Sequence, residues 1–127
     1  MNNLEIKKFK AWLNSPDSYE RDIAISVFWH SGIRDDEIDH SVTHILRTDN
    51  EINIRRSAIK MLSGTKDGKF QEALIEALDD EDWQVKGEAF MGIMSINPDY
   101  QNLSRMAQFI DEETHPFCRW CIESAIN

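Results

Sequence analysis

The chain has 127 residues, of which 41% are hydrophobic and 29% charged, and its formal net charge is −9. This length suits one compact domain, and the composition excludes wholesale disorder and a membrane span. The negative field repels phosphate backbones and attracts basic partners, so neither nucleic acid nor a membrane is an expected ligand.

Glycines number five and prolines three, and apolar residues recur at three and four positions, so the whole chain reads as helical. The opening Met1–Lys8 has no apolar core of a secretory signal, and a cytoplasmic protein is expected. A first helix carries Phe9, Trp12 and Leu13 and breaks at Asn14-Ser15-Pro16-Asp17. A second carries Arg21, Ala24, Ile25 and Phe28 and stops at Ser31-Gly32. The third carries Val42, Ile45 and Leu46. The fourth carries Ile54, Arg55, Ala58, Ile59 and Leu62 and stops between Gly64 and Gly68. Leu74, Ala77 and Leu78 mark the fifth. Val85, Lys86, Ala89, Phe90 and Ile93 mark the sixth, which ends at Asn97-Pro98-Asp99. The last two carry Met106, Phe109 and Ile110, then Cys118, Arg119, Ile122 and Ile126.

These eight helices are one pair written four times. Arg21, Arg55, Lys86 and Arg119 stand 34, 31 and 33 residues apart, and Leu13, Leu46, Leu78 and Ile110 stand 33, 32 and 32 apart. A period near 32 built from two helices and a short acidic turn indicates an all-α chain, an α-solenoid of four helix pairs. The repeats run over about 1–33, 34–64, 65–96 and 97–127 of a single domain. Glu20 and Glu123 put charge on the core face only in the first and last repeats, where a terminal repeat has one neighbour and part of that face can meet water.

The pattern resembles HEAT-like repeats, whose second helix opens with Asp, often Pro, then Val-Arg and a small residue three positions on. Asp82-Trp83-Gln84-Val85-Lys86-Gly87-Glu88-Ala89 carries this signature, as does Glu51-Ile52-Asn53-Ile54-Arg55-Arg56-Ser57-Ala58. His115-Pro116-Phe117-Cys118-Arg119 keeps the proline. The resemblance implies that the second helices line a concave surface and that recurrent acids and bases pair between units.

Asp17, Asp49, Glu51 and Asp82 are explained as helix caps. Capping uses one acid per helix, whereas Asp79, Asp80, Glu81 and Asp82 supply four at one turn. Asp111, Glu112 and Glu113 supply three more at the next. Stacked turns then form an acidic ridge, expected to dock a basic partner. Trp29, Trp83 and Trp120 fall on one helical face away from the core. Gly87, Met91 and Met94 share it, which predicts a hollow that takes a partner side chain. Glu88 is expected to be exposed.

His40 and His44 lie one turn apart beside Asp36, a spacing that can hold a metal, but no third ligand is fixed. Cys118 occupies the place of Ile54 and Val85, so Cys118 and Cys121 read as small core residues. No catalytic motif is present, and no metal or cofactor is assigned. The expected function is a non-enzymatic protein-binding module. Its most specific form is an acidic immunity or inhibitor protein that neutralises a basic toxin domain, such as a nuclease. The alternatives are a bilin lyase or chromophore-attachment protein, which HEAT-like repeats also build, and a nucleic-acid-binding HEAT-like protein. The expected state is a monomer or a weak homodimer joined end to end through Ile122 and Ile126.

Overall fold

The computed structural model describes residues 1–97 and 104–126. Among them are eight α-helices and no strand: α1 Asn3–Trp12, α2 Ser18–Ser31, α3 Asp36–Thr48, α4 Ile52–Gly64, α5 Gln71–Glu76, α6 Trp83–Ile96, α7 Ser104–Glu112 and α8 Pro116–Ile126. The third repeat departs from the regular pattern. Its first helix is a short α5 between the 3-10 turns Gly68–Phe70 and Ala77–Asp79. The break at Asn97-Pro98-Asp99 lies partly outside the described residues.

Local chemistry sets the helix starts. Asp17 caps α2 by accepting from Tyr19 N–H, Asp35 caps α3 through Ile38, and Asp82 caps α6 through Val85. Glu51 stands at the N-cap of α4 without a capping side-chain bond; Asp49 accepts from the Glu51 N–H instead. At α8 the cap is an imidazole: His115 Nδ1 accepts from Phe117 N–H at 3.1 Å, with Pro116 as the first helical residue. Gly32 ends α2 at φ 72°, in the left-handed region where a Cβ is strained.

The second helices α2, α4, α6 and α8 lie against one another in turn, while successive first helices touch sparingly. The second helices thus form one continuous layer, the one that the resemblance to HEAT-like repeats assigns to the concave side. Each pair hands its apolar face to the next. Ile25, Ile59 and Phe90 are at most 1% exposed, and the Phe90 ring stacks on Phe109 of the following repeat at 5.6 Å. Glu123 occupies the equivalent place on α8 and is exposed, whereas Glu20 is half-buried and accepts from Ser15 Oγ at 2.6 Å. Ile122 is buried, so of the two residues expected at an end-to-end contact only Ile126 reaches the surface. No helix among the described residues is long and apolar enough to cross a membrane.

Helix α6 is clasped from both sides through its glycines. A Cβ at Gly92 would lie 3.0 Å from Ser63 Cβ on α4, and one at Gly87 would lie 2.5 Å from Phe117 Cε1 on α8. The hollow expected over Gly87 is therefore filled by Phe117 of the same chain, and Met94 is buried. Gly87→Ala is expected to push the Phe117 ring off α6. The gain in helix propensity, about 1 kcal/mol, then opposes the lost packing, and the near-ultraviolet circular dichroism of the adjacent tryptophans changes more than the melting temperature. An unchanged aromatic spectrum would show that Phe117 does not seat on Gly87.

Candidate functional site

The turns within the pairs form one edge of the solenoid, and an ion ladder runs along it. Ser15, Asp49, Asp80 and Glu113 each stand six residues before the reference bases Arg21, Arg55, Lys86 and Arg119. Each of the first three bases reaches the acid of the next repeat. Arg21 Nε donates to Asp49 at 2.7 Å, Arg55 Nε donates to Asp80 at 2.9 Å, and Lys86 Nζ lies 2.6 Å from Glu113. Both arginines also donate Nη2 to the second carboxylate oxygen and Nη1 to a carbonyl of their own turn. The first turn has no preceding base, and Ser15 stands in the acid's place, its hydroxyl accepting from Asp17 N–H. The last base, Arg119, donates to the Ile110 carbonyl. Burial works against ionisation of Glu113, but Lys86 and the His115 N–H hold its carboxyl below the usual glutamate range.

This ladder divides the acidic ridge. Asp80 and Glu113 are half-buried rungs, Asp82 is a helix cap, and Asp79 pairs with Arg105. Each of these four already satisfies a cation or a helix terminus. Glu81, Asp111 and Glu112 are exposed and take part in no ion pair among the described residues; Gln108 donates to Glu112. Fewer of the acids in these two turns are unpaired than the run of charge suggested.

The tryptophans also separate. Trp83 stacks on His115 at 4.6 Å and meets Phe117 edge-on at 5.1 Å, and Phe117 lies 6.2 Å from Trp120. Trp83 is 39% exposed and Trp120 60%, so this cluster presents an aromatic surface at the corner of the turn edge and the concave face. Met91 is exposed further along α6. Trp29 does not join them. It lies near the end of α2, and its offset from the reference base exceeds that of Trp83 by 11 residues, about 16 Å along a helix. There it stacks on His30 and lines a cleft of about 270 Å³ with Met61, Gly64 and Arg34, at the edge of the loops between repeats.

Two polar clusters escaped the sequence reading. Arg56 on α4 donates Nε and Nη2 to Glu88 Oε1 on α6, at 2.9 and 2.7 Å. Glu88 is therefore half-buried and paired rather than exposed, and its Oε2 is buried with no donor. This pair gives Arg56 an anionic partner on the neighbouring second helix. On the loop edge, Asp39 is 6% exposed and receives both Arg34 and Lys69. Burial alone would raise its carboxyl, but the two cations hold it below the ordinary range. The pairing joins residues 30 positions apart, and no local period signals it.

His40 and His44 are exposed on α3, and no third ligand joins them among the described residues. Cys118 and Cys121 are buried free thiols, and Cys118 Sγ donates to the Trp83 carbonyl at 3.3 Å. Burial pushes the Cys118 thiol up to about 11, which disfavours the reactive thiolate.

Four stacked helix pairs with a ladder between them define an α-solenoid of the kind that presents a surface for protein interaction. A family model described as HEAT repeats matches residues 38–127, and the chain belongs to that family. No curated protein and no solved structure gives a match.

Proposed function

We propose that the chain binds a basic protein at the corner formed by α6 and α8, and that it acts as an acidic inhibitor or immunity protein for a toxin domain. The observation that carries this reading is the exposed Trp83–Phe117–Trp120 cluster. Near it in the chain, at the turns before α6 and α8, are Glu81, Asp111 and Glu112, exposed carboxylates in no ion pair among the described residues. Large exposed aromatics at the centre of a contact supply binding energy, and unpaired charges around them steer encounter.

The test begins with the products of the reading frames adjacent to this one. Expression of one of them should arrest growth, and co-expression of the chain should restore it. Kinetics with that product then separate the two kinds of contact. Neutralising Glu81, Asp111 and Glu112 should slow association, with a deficit that shrinks as salt shortens the screening length from about 10 Å. Trp120→Ala should speed dissociation, with a loss of about 2 kcal/mol. Asp80 and Glu113 are left intact, because removing a ladder rung perturbs the fold. Wild-type rates in both variants would move the binding surface elsewhere. Absence of protection by the chain would remove the immunity reading.

A further inference from the structure

We infer that the partner docked at this corner carries a side-chain carboxylate, and that the guanidinium of Arg119 receives it; this rests on the corner reading above. Arg21 and Arg55 show how the fold holds such a base. Each is anchored through Nη1 to a carbonyl of its own repeat and donates Nε and Nη2 to both oxygens of one aspartate on the following repeat. Arg119 keeps the anchor, donating Nη1 to the Ile110 carbonyl at 2.7 Å. Its Nε and Nη2 meet no acceptor among the described residues, and the residue is half-buried.

Two more positions stand open at the same junction. The residue after the reference base meets the following repeat at every interior junction. Asp22 accepts from Ser57, Arg56 donates to Glu88, and Cys121 Sγ lies 3.2 Å from where a Cβ on Gly87 would stand. Trp120 is the fourth of this series and is 60% exposed. The residue after the last apolar position of each first helix behaves alike. Asn14 donates to Ser41, Arg47 pairs with Glu76, and Asp79 pairs with Arg105. Asp111 is the fourth here, exposed and in no ion pair among the described residues.

Chemistry selects what completes the junction. Two adjacent N–H donors in one plane match the two oxygens of a carboxylate, and a charge-assisted pair of this kind is stronger than a neutral bond. Asp111 suits a cation and Trp120 an apolar contact, as the basic partner requires. A second copy stacked in the same register does not complete it, because Ser15 takes the acid's place in the first repeat. Such a copy would also bring Trp12 against Glu123, where Phe109 stacks on Phe90 inside the solenoid. The occupant is therefore a protein that is basic overall and sets one aspartate or glutamate against Arg119.

The experiment selects a displayed library of random 20-residue peptides on the full chain and measures the enriched peptides one by one. They should share an aspartate or glutamate among basic and apolar residues. Changing that acid to its amide should weaken binding to the wild-type chain about tenfold. Against Arg119→Gln the same change should cost less than about twofold, because the two groups act as one pair. Glutamine keeps a donor for the Ile110 carbonyl, thermal melts verify the fold, and the peptide-side change leaves the chain untouched. Peptides without a shared acid overturn the inference. So do peptides whose acid matters as much against Arg119→Gln as against wild type. If such peptides still lose affinity for Trp120→Ala, the corner reading stands. Peptides indifferent to Trp83→Ala and Trp120→Ala remove the corner as well. Self-association of the wild type in sedimentation, lost in Arg119→Gln, would assign the guanidinium to a second copy and overturn the inference too. A selection that yields no binder has the same consequence.

Discussion

Ala89→Asp is expected to unfold the chain at a far lower temperature than wild type. Ala89 is 0% exposed on α6, the helix that packs against both α4 and α8. An aspartate there has no cation to pair with, and burying an unpaired polar or charged group costs several kcal/mol. Marginal stabilities of about 5–15 kcal/mol leave little room for such a loss. Glu81→Ala is the matched control, because an exposed substitution usually stays within about 0.5 kcal/mol. Glu88→Ala does not serve, since it would strip Arg56 of its partner. Equal melting midpoints for Ala89→Asp and Glu81→Ala would show that α6 is not clasped as described.

The second large effect belongs to the ladder. Arg21→Ala is expected to cost about 3 kcal/mol, the scale for breaking a buried ion pair from one side. The Asp49 side chain is 2% exposed and accepts two bonds from Arg21. Without the guanidinium it keeps the Glu51 N–H alone. The surface pair Arg47–Glu76 gives the scale for comparison. Its side chains are 45% and 49% exposed, so Glu76→Ala should cost less than about 1 kcal/mol. Urea unfolding of the two variants decides the matter. If they lose the same stability, the rungs contribute no more than surface pairs do.

Much of the architecture was legible in the sequence because it is local. Apolar spacing fixes which side of a helix is buried, and Asp17 and Asp82 mark starts through bonds to residues two or three positions away, whereas the cap of α3, Asp35, was not singled out and Glu51 makes no capping bond. Repetition of Arg21, Arg55, Lys86 and Arg119 carries the pairing of helices, since one unit cannot bury its apolar face alone. The interruption of the fifth helix was not legible, and nothing in the structure explains why the 3-10 turns flank it.

The site was legible only in part. Periodicity gives the angle of a side chain around its helix, and by that measure Trp29, Trp83 and Trp120 are alike. Height along the axis separates them, and only the stacking of pairs decides which heights meet. Gly87 looked like the floor of a hollow until Phe117 came down from the next repeat to cover it. Apart from the cap Asp82, the acids of the two turns looked equivalent as a run of charge. Asp80 and Glu113 became rungs because Arg55 and Lys86, more than 20 residues earlier, reach them across the repeat interface. The sequence by itself determined the phase of the helices and, among the described residues, their number, but not the interruption of the fifth. Tertiary structure alone decided which charges and rings remain free, because that depends on what the neighbouring repeat places against each one.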